Sequence, residues 1–295
     1  NEVRYYPIEN ADTEEASFRN DQLHLTATLP PAKFEQWQQD RPGELRVVNA
    51  RGTYFYTLNV HRPHLRDRRV RQALSLALDR EALARYVARR DQPPAVHFVP
   101  PGYTSYRSTA RIGRDPARAR ALLADAGYPQ GRGFPSLELL VDSREEHRRI
   151  AEAVQRMWRE ELGIPVEIAN QETRVLIASK NAMEFDLVRG SWNSPTVGPW
   201  YFLAPWVSGG LYNEAKWADA EYDRLVALAL DERDDARREA HWQAAEARLL
   251  EELPILPLYH LNDAFLMKES VRGWHPQSFA DRYVRFLSLD PGFRR

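Results

Sequence analysis

The chain has 295 residues, 43% of them hydrophobic and 28% charged, with a formal net charge of −1; this length accommodates roughly two domains with sizeable cores. The balance lacks the basic excess or stripe that a nucleic-acid partner would leave, and no stretch approaches the run of about 18 apolar residues that a membrane span needs. Cysteine is absent, which excludes disulfides, thiolate metal sites and cysteine nucleophiles but identifies no compartment.

Asn1 opens directly on NEVRYYPIEN, with no signal-peptide pattern; the mature form of a secreted protein and a trimmed piece would both look like this. VRYYPI (3–8) reads as a strand, ADTEEASFRN (11–20) as a short polar helix and LHLTATL (23–29) as a strand. A helix at 31–39 leads to strand candidates at 44–50 and 53–60, separated by Arg51-Gly52. Asp67 caps a long helix over 67–87, whose apolar positions Val70, Ala73, Leu74, Leu76, Ala77 and Leu78 crowd one face with no glycine to interrupt it. Residues 91–116 are rich in proline and read as loop. A helix at 116–127 stops at Gly127, and SLELLVD (136–142) is a strand. Ser143 with Glu146 has the spacing of a capping box for a helix through Leu162, ended by Gly163 and Pro165. A strand at 166–170, a helix at 173–182, a strand at 185–192 and helices near 219–231 and 235–252 follow. The stretches 255–268 and 282–290 read as strands. Alternation at this frequency argues for α/β architecture with largely parallel sheets.

Residues that could carry chemistry are few. His61 and His64 are three apart, but Pro63 breaks any helix that would align them, and no third ligand follows at a metal-site spacing. There is no G-x-S-x-G elbow, no H-E-x-x-H and no phosphate-cradling glycine loop, so the sequence gives no support to an enzyme, a cofactor or a metal. FDLVRGSWNSP (185–195) is the anomaly: Arg189 sits inside an apolar strand, where an unpaired buried guanidinium costs several kcal/mol. Either it has a carboxylate partner within the protein, or the partner comes from outside. The second alternative is favoured by the aromatic residues where strands meet loops, Tyr54, Phe55, Tyr56, Trp192, Trp200, Tyr201 and Tyr283, because concave ligand sites are lined this way. Arg189 and Trp192 would stand at the strand end where α/β folds place ligands.

TYFYTLNVHRPHLRDRRVRQALSLALDRE (53–81) resembles the opening of the large C-terminal lobe of periplasmic oligopeptide-binding proteins, the solute-binding components of peptide- and nickel-class ABC importers. The likeness continues through PPAVHFVPPGY, ARALLADAGYP, HRRIAEAVQRMWREELGIPVEIANQE and FDLVRGSW to YVRFLSLD (283–290), essentially the whole chain. It implies an α/β, periplasmic-binding-protein-like lobe of class II type, with a mixed sheet flanked by helices, as a fragment of a larger two-lobed protein. Residues 1–45 would be a returning segment of the first lobe, 46–272 the large C-terminal lobe, and 273–295 a segment crossing back; the upstream half of the cleft would precede Asn1. The resemblance further implies a periplasmic location, a peptide or peptide-like ligand, an inner-membrane ABC permease as partner, a monomeric state and function by closure around a ligand without catalysis.

Carried over by position, Arg189 matches the cleft arginine that meets ligand carboxylates or carbonyls. Gly190, Ser191 and Trp192 match a strand edge on which an extended peptide is laid. His147 matches a histidine near the ligand's far end, Phe55 falls in the pocket's aromatic cluster, Tyr283 matches a tyrosine on the returning strand, and Lys180 sits where another cation is common. Three residues after the tryptophan, peptide-binding members carry an aspartate for the ligand's ammonium group; this chain has Pro195, and Asn193 offers a hydrogen bond but no charge. That departure keeps open an amine-blocked peptide or a non-peptide ligand. A sensor lobe of a transcription regulator is the other alternative, separable by what is encoded upstream.

Overall fold

The computed structural model describes residues 2–88, 91–102, 106–196, 198–275 and 284–290. Its strands are β1 (Leu45–Leu58), β2 (Leu137–Asp142), β3 (Val166–Gln171), β4 (Leu187–Asn193), β5 (Ile255–Leu266), β6 (Val271–Arg272) and β7 (Ser288–Leu289). The helices are α1 (Ala11–Arg19), α2 (Phe34–Asp40), the short α3 (Pro63–Arg66), α4 (Arg68–Leu76), the single turn α5 (Arg80–Ala82), α6 (Pro116–Asp125), α7 (Glu145–Leu162), α8 (Thr173–Ala182), the short α9 (Trp200–Leu203), α10 (Ala220–Asp231) and α11 (Asp235–Glu252). Among the described residues no helix is long and apolar enough to cross a membrane.

The chain divides into two compact units, one of Asn1–Arg51, Arg89–Gln92 and Leu261–Arg295, the other of Gly52–Ala88 and Pro93–His260. In the first, Phe18, Leu29, Phe34, Trp37, Ala264 and Leu266 form the core. In the second, helices cover strands in the order β3-β2-β4-β1-β5. β2 runs parallel to β3 and β4, whereas β1 pairs β4 antiparallel. The sheet is therefore mixed, as the resemblance implied, and not largely parallel, as the bare alternation of elements suggested.

Local chemistry explains the other departures. Residues 3–8 make no strand: Val3, Tyr5 and Tyr6 are exposed, and among the described residues no strand pairs with them. The 23–29 stretch reduces to one bridge, Leu25 to Met267, because the Thr26 hydroxyl accepts the Leu266 N–H that a ladder carbonyl would take. The two strands expected around Arg51-Gly52 are one, β1, with Arg51 in the left-handed region at φ 53°. The helix expected over 67–87 breaks after Leu76, and Asp79 caps a new start by accepting from Ala82 N at 2.9 Å. Arg80 then folds back, 4% exposed, donating to Pro257 O (2.8 Å), Ser75 O (3.0 Å) and Ser75 Oγ (2.8 Å). It satisfies carbonyls left over at the end of α4, and burial pushes its guanidinium down to about 9. The Ser143 capping box is not formed; the N-cap of α7 is Arg144, which makes no side-chain capping bond. Gly163 ends α7 in the left-handed conformation, φ 70°, as expected. The last expected strand is, where described, the 3-10 turn Val284–Phe286 followed by β7.

Candidate ligand-binding site

The β1–β4 register sets the site. Tyr56 lies opposite Arg189, Phe55 opposite Gly190, Tyr54 opposite Ser191, Thr53 opposite Trp192 and Gly52 opposite Asn193. Side chains alternate along a strand, so Arg189 and Ser191 share a face with Tyr54 and Tyr56, while Gly190 and Trp192 share the other with Phe55. Arg189 and Trp192, both expected at the ligand end of the strand, stand on opposite faces of β4.

On the first face the Arg189 guanidinium lies over the Tyr54 ring, 5.3 Å from its centroid, a cation–π arrangement. Tyr54 stacks on Tyr259 at 4.8 Å and lies 5.5 Å from the His147 ring. Arg189 Nη2 donates a long 3.3 Å bond to Ser191 Oγ, and Nη1 lies 3.7 Å from Asp142 Oδ2. Arg189 thus has an internal carboxylate neighbour, and the choice between an inside and an outside partner does not hold as the sequence posed it. The pairing is incomplete: 3.7 Å exceeds hydrogen-bond length, and among the described residues Arg189 Nε and the buried Tyr54 and Tyr56 hydroxyls have no hydrogen-bond partner.

Asp142, at the end of β2, organises this face. Its Oδ1 accepts from His147 Nδ1 at 2.6 Å and from Arg144 N and Nε at 3.2 Å, and its Oδ2 accepts from Arg144 Nη2 at 2.8 Å. Burial opposes its ionisation, but the bonds from Arg144 and His147 outweigh that and hold the carboxyl well below the usual range. His147, in the first turn of α7, is pushed down to about 4 by burial first and by the charges of Arg189 and Arg144 next. Burial also raises the Tyr54 hydroxyl. His147 and Arg189 are therefore brought together, through an acid that sequence reasoning passed over as a strand end. Its position, last in a parallel strand and just before a helix, was the available signal.

On the other face Phe55 is 3% exposed and packs edge-on against Phe98 and Trp206, both at 5.6 Å. It belongs to the core there and does not join the Tyr54–Arg189 cluster. Half-buried Trp192 donates from Nε1 to Tyr201 O at 2.9 Å and contacts Tyr201 and Tyr212 at 5.7 and 5.1 Å. Asn193, which closes the strand, and Pro195 beyond it are exposed; Lys180 is paired with Glu214 at 3.0 Å; Tyr283 lies outside the described residues. β4 pairs with β2 through Leu187 and Val188 and with β1 as far as Asn193. On the β2 side, residues 190–193 thus have no strand paired with them among the described residues. Cavities of about 130 and 250 Å³ are lined by Trp37 and its neighbours and by Lys268 and its neighbours, all in the first unit and none in this cluster. Among the described residues no group of three His, Asp or Glu is placed to hold a metal ion.

Residues 1–214 match the family of bacterial extracellular solute-binding proteins, family 5 Middle. The chain belongs to this family. The curated relatives of this family 5 protein include the periplasmic murein peptide-binding protein MppA of Escherichia coli (strain K12), 31% identical over 92% of this chain and 52% of that protein. The periplasmic oligopeptide-binding protein OppA of Salmonella typhimurium (strain LT2) is 29% identical over 98% of this chain and 54% of its own. The solved structure of the Escherichia coli murein tripeptide-binding protein MppA superposes with a TM-score of 0.82 at 30% identity, covering 96% of this chain and 57% of that one. The chain spans about half the length of the curated relatives it matches.

Proposed function

We propose that this family 5 protein captures oligopeptides in the periplasm and delivers them to an inner-membrane ABC permease, as a monomer and by binding alone. The observation that carries the reading is family membership over residues 1–214 together with relatives named for peptide binding. In this reading the ligand's main chain is laid along Gly190–Asn193 on the β2-side edge, beyond Val188 where the pairing with β2 ends, the mode in which a peptide adds a strand to a sheet. Arg189 and His147 meet polar groups of the ligand on one face, and Trp192 meets a side chain on the other. Phe55 supports this edge from beneath Gly190, and Tyr283 is assigned to the ligand's surroundings by resemblance. The second compact unit corresponds to the large lobe, and the first unit to the segments assigned to the other lobe.

Isothermal titration of the purified protein with tri- to pentapeptides tests the reading. Saturable binding is expected for a subset of sequences, weakened roughly 10- to 100-fold by Arg189→Gln, the equivalent of losing one charge-assisted hydrogen bond. Silence across an unbiased peptide library would overturn it.

A further inference from the structure

The cations of the candidate site already have acidic neighbours within the chain. Arg144 is bonded to Asp142 at 2.8 Å, Arg189 lies 3.7 Å from the same carboxylate, and Lys180 is held by Glu214 at 3.0 Å. Asp142 is buried and fixed through both oxygens, so it cannot swing aside without releasing His147 and Arg144. Half-buried Glu146 adds a second negative charge nearby. His147 adds no compensating positive charge at neutral pH, because burial keeps its imidazole neutral. Asp142 thus lies against both guanidiniums, and the charge of Glu146 acts on Tyr54 and Arg144 beside them. A ligand carboxylate arriving at Arg189 would meet a cation already counterbalanced and a fixed like charge beside it, the arrangement that disfavours a second ionised acid. A neutral carbonyl meets no such opposition. It can accept from Arg189 Nε, which has no partner among the described residues, or from Nη2, whose bond to Ser191 is long.

We propose that Asp142 sets the charge preference of this site: it neutralises Arg189 from within, so that the cluster receives an uncharged carbonyl, an internal peptide unit or an amide-capped end, and selects against a free carboxylate. The inference rests on the reading that ligand reaches Arg189, and it deepens that reading by naming the class of group accepted.

The test is isothermal titration of the purified protein with tri- to pentapeptides, each as the free acid and as the C-terminal amide. The amide is expected to bind about tenfold more tightly. Asp142→Asn, which keeps an oxygen to accept from His147 but removes the charge, is expected to move the amide-to-acid ratio about tenfold toward the acid. An acid that binds the parent as tightly as its amide, or a ratio that Asp142→Asn leaves unmoved, overturns the proposal. A purely structural role for Asp142 would weaken both forms alike. If no peptide binds in either form, the transport reading fails, and melting temperatures in acetate against chloride at matched ionic strength decide the proposal by themselves. Acetate should then stabilise Asp142→Asn but not the parent, and adding Arg189→Gln should abolish the effect; equal responses in parent and variant overturn it.

Discussion

Gly190 is glycine for reasons of space. A Cβ built there would lie 2.6 Å from Phe55 Cε2 and 2.9 Å from Cζ, and Phe55 is itself locked between Phe98 and Trp206. Gly190→Ala should therefore cost about 1–3 kcal/mol, as overpacking of a tight core does, and Phe55→Leu in the same chain should recover part of the loss; denaturant midpoints check both. Fully buried Glu246 is the reverse case, a charge with every oxygen used. It accepts from Phe98 N and Val99 N at 2.8 Å and from the Tyr106 hydroxyl at 2.7 Å. Glu246→Ala orphans those donors, at about 1–3 kcal/mol each when they stay buried, whereas Glu246→Gln keeps an acceptor for the two backbone N–H groups and should lose less than half as much. Legibility at this scale was uneven. Arg189 stood out because a guanidinium in an apolar strand is costly. The two-residue period of a strand already puts Arg189 and Trp192 on opposite faces, since an odd number of positions separates them. The strand-end position of Asp142 was legible, but its meeting with Arg189 was not, because that depends on β2 and β4 being neighbours, which strand patterns so far apart in the chain do not disclose.

At the scale of elements, caps decide where helices begin, and two candidate caps behave oppositely. Asp79 accepts from Ala82 N and restarts the helix after α4, so Asp79→Ala should cost about 1 kcal/mol. Ser143 is exposed and caps nothing, so Ser143→Ala should stay within about 0.5 kcal/mol. Thermal melts of the two variants side by side give the comparison; equal losses would contradict the assignment. The sequence reading singled out Ser143 with Glu146 and passed over Asp79, which lay inside the helix expected over 67–87. What separates them is register: α7 has Arg144 at its N-cap, with Arg144 N donating to Asp142 Oδ1, so Ser143 lies one residue before the position from which a side chain caps. Likewise the 67–87 pattern looked continuous because neither glycine nor proline interrupts it, and the break follows from Arg80 finding carbonyls in the interior. Residues 3–8 carry the β-branched and aromatic side chains that strands favour, but a strand needs a neighbour, and composition does not show whether one exists.

For the whole molecule, alternating strands and helices were enough to place the chain among α/β folds, and the resemblance carried the family. The antiparallel β1–β4 pairing that makes the sheet mixed joins strands too distant in sequence for any turn to announce it. Three histidines give the molecule a common pH response. His97, His147 and His260 are all held below the ordinary value, in each case chiefly by burial. A histidine whose folded value is depressed contributes stability fully above the unfolded value near 6.5, and loses it as the pH falls from there toward the folded value. Asp142, Asp186 and Asp219 are also depressed, so their contribution is present above about pH 4 and lost only below it. The melting temperature should therefore start to fall near pH 6.5, well before the carboxylates titrate. Calorimetric scans from pH 8 to 4 test this, and a flat profile down to pH 4.5 would contradict it.

The arginine folded beneath the end of α4 has a dynamic corollary. Its three bonds tie Ser75 to Pro257 across more than half of the chain, so the two segments cannot come apart separately without stranding a cation in an oily interior. Amide protons at the close of α4 and the start of β5 should consequently exchange with solvent as one cooperative event, and Arg80→Met should let the two sites report different opening energies.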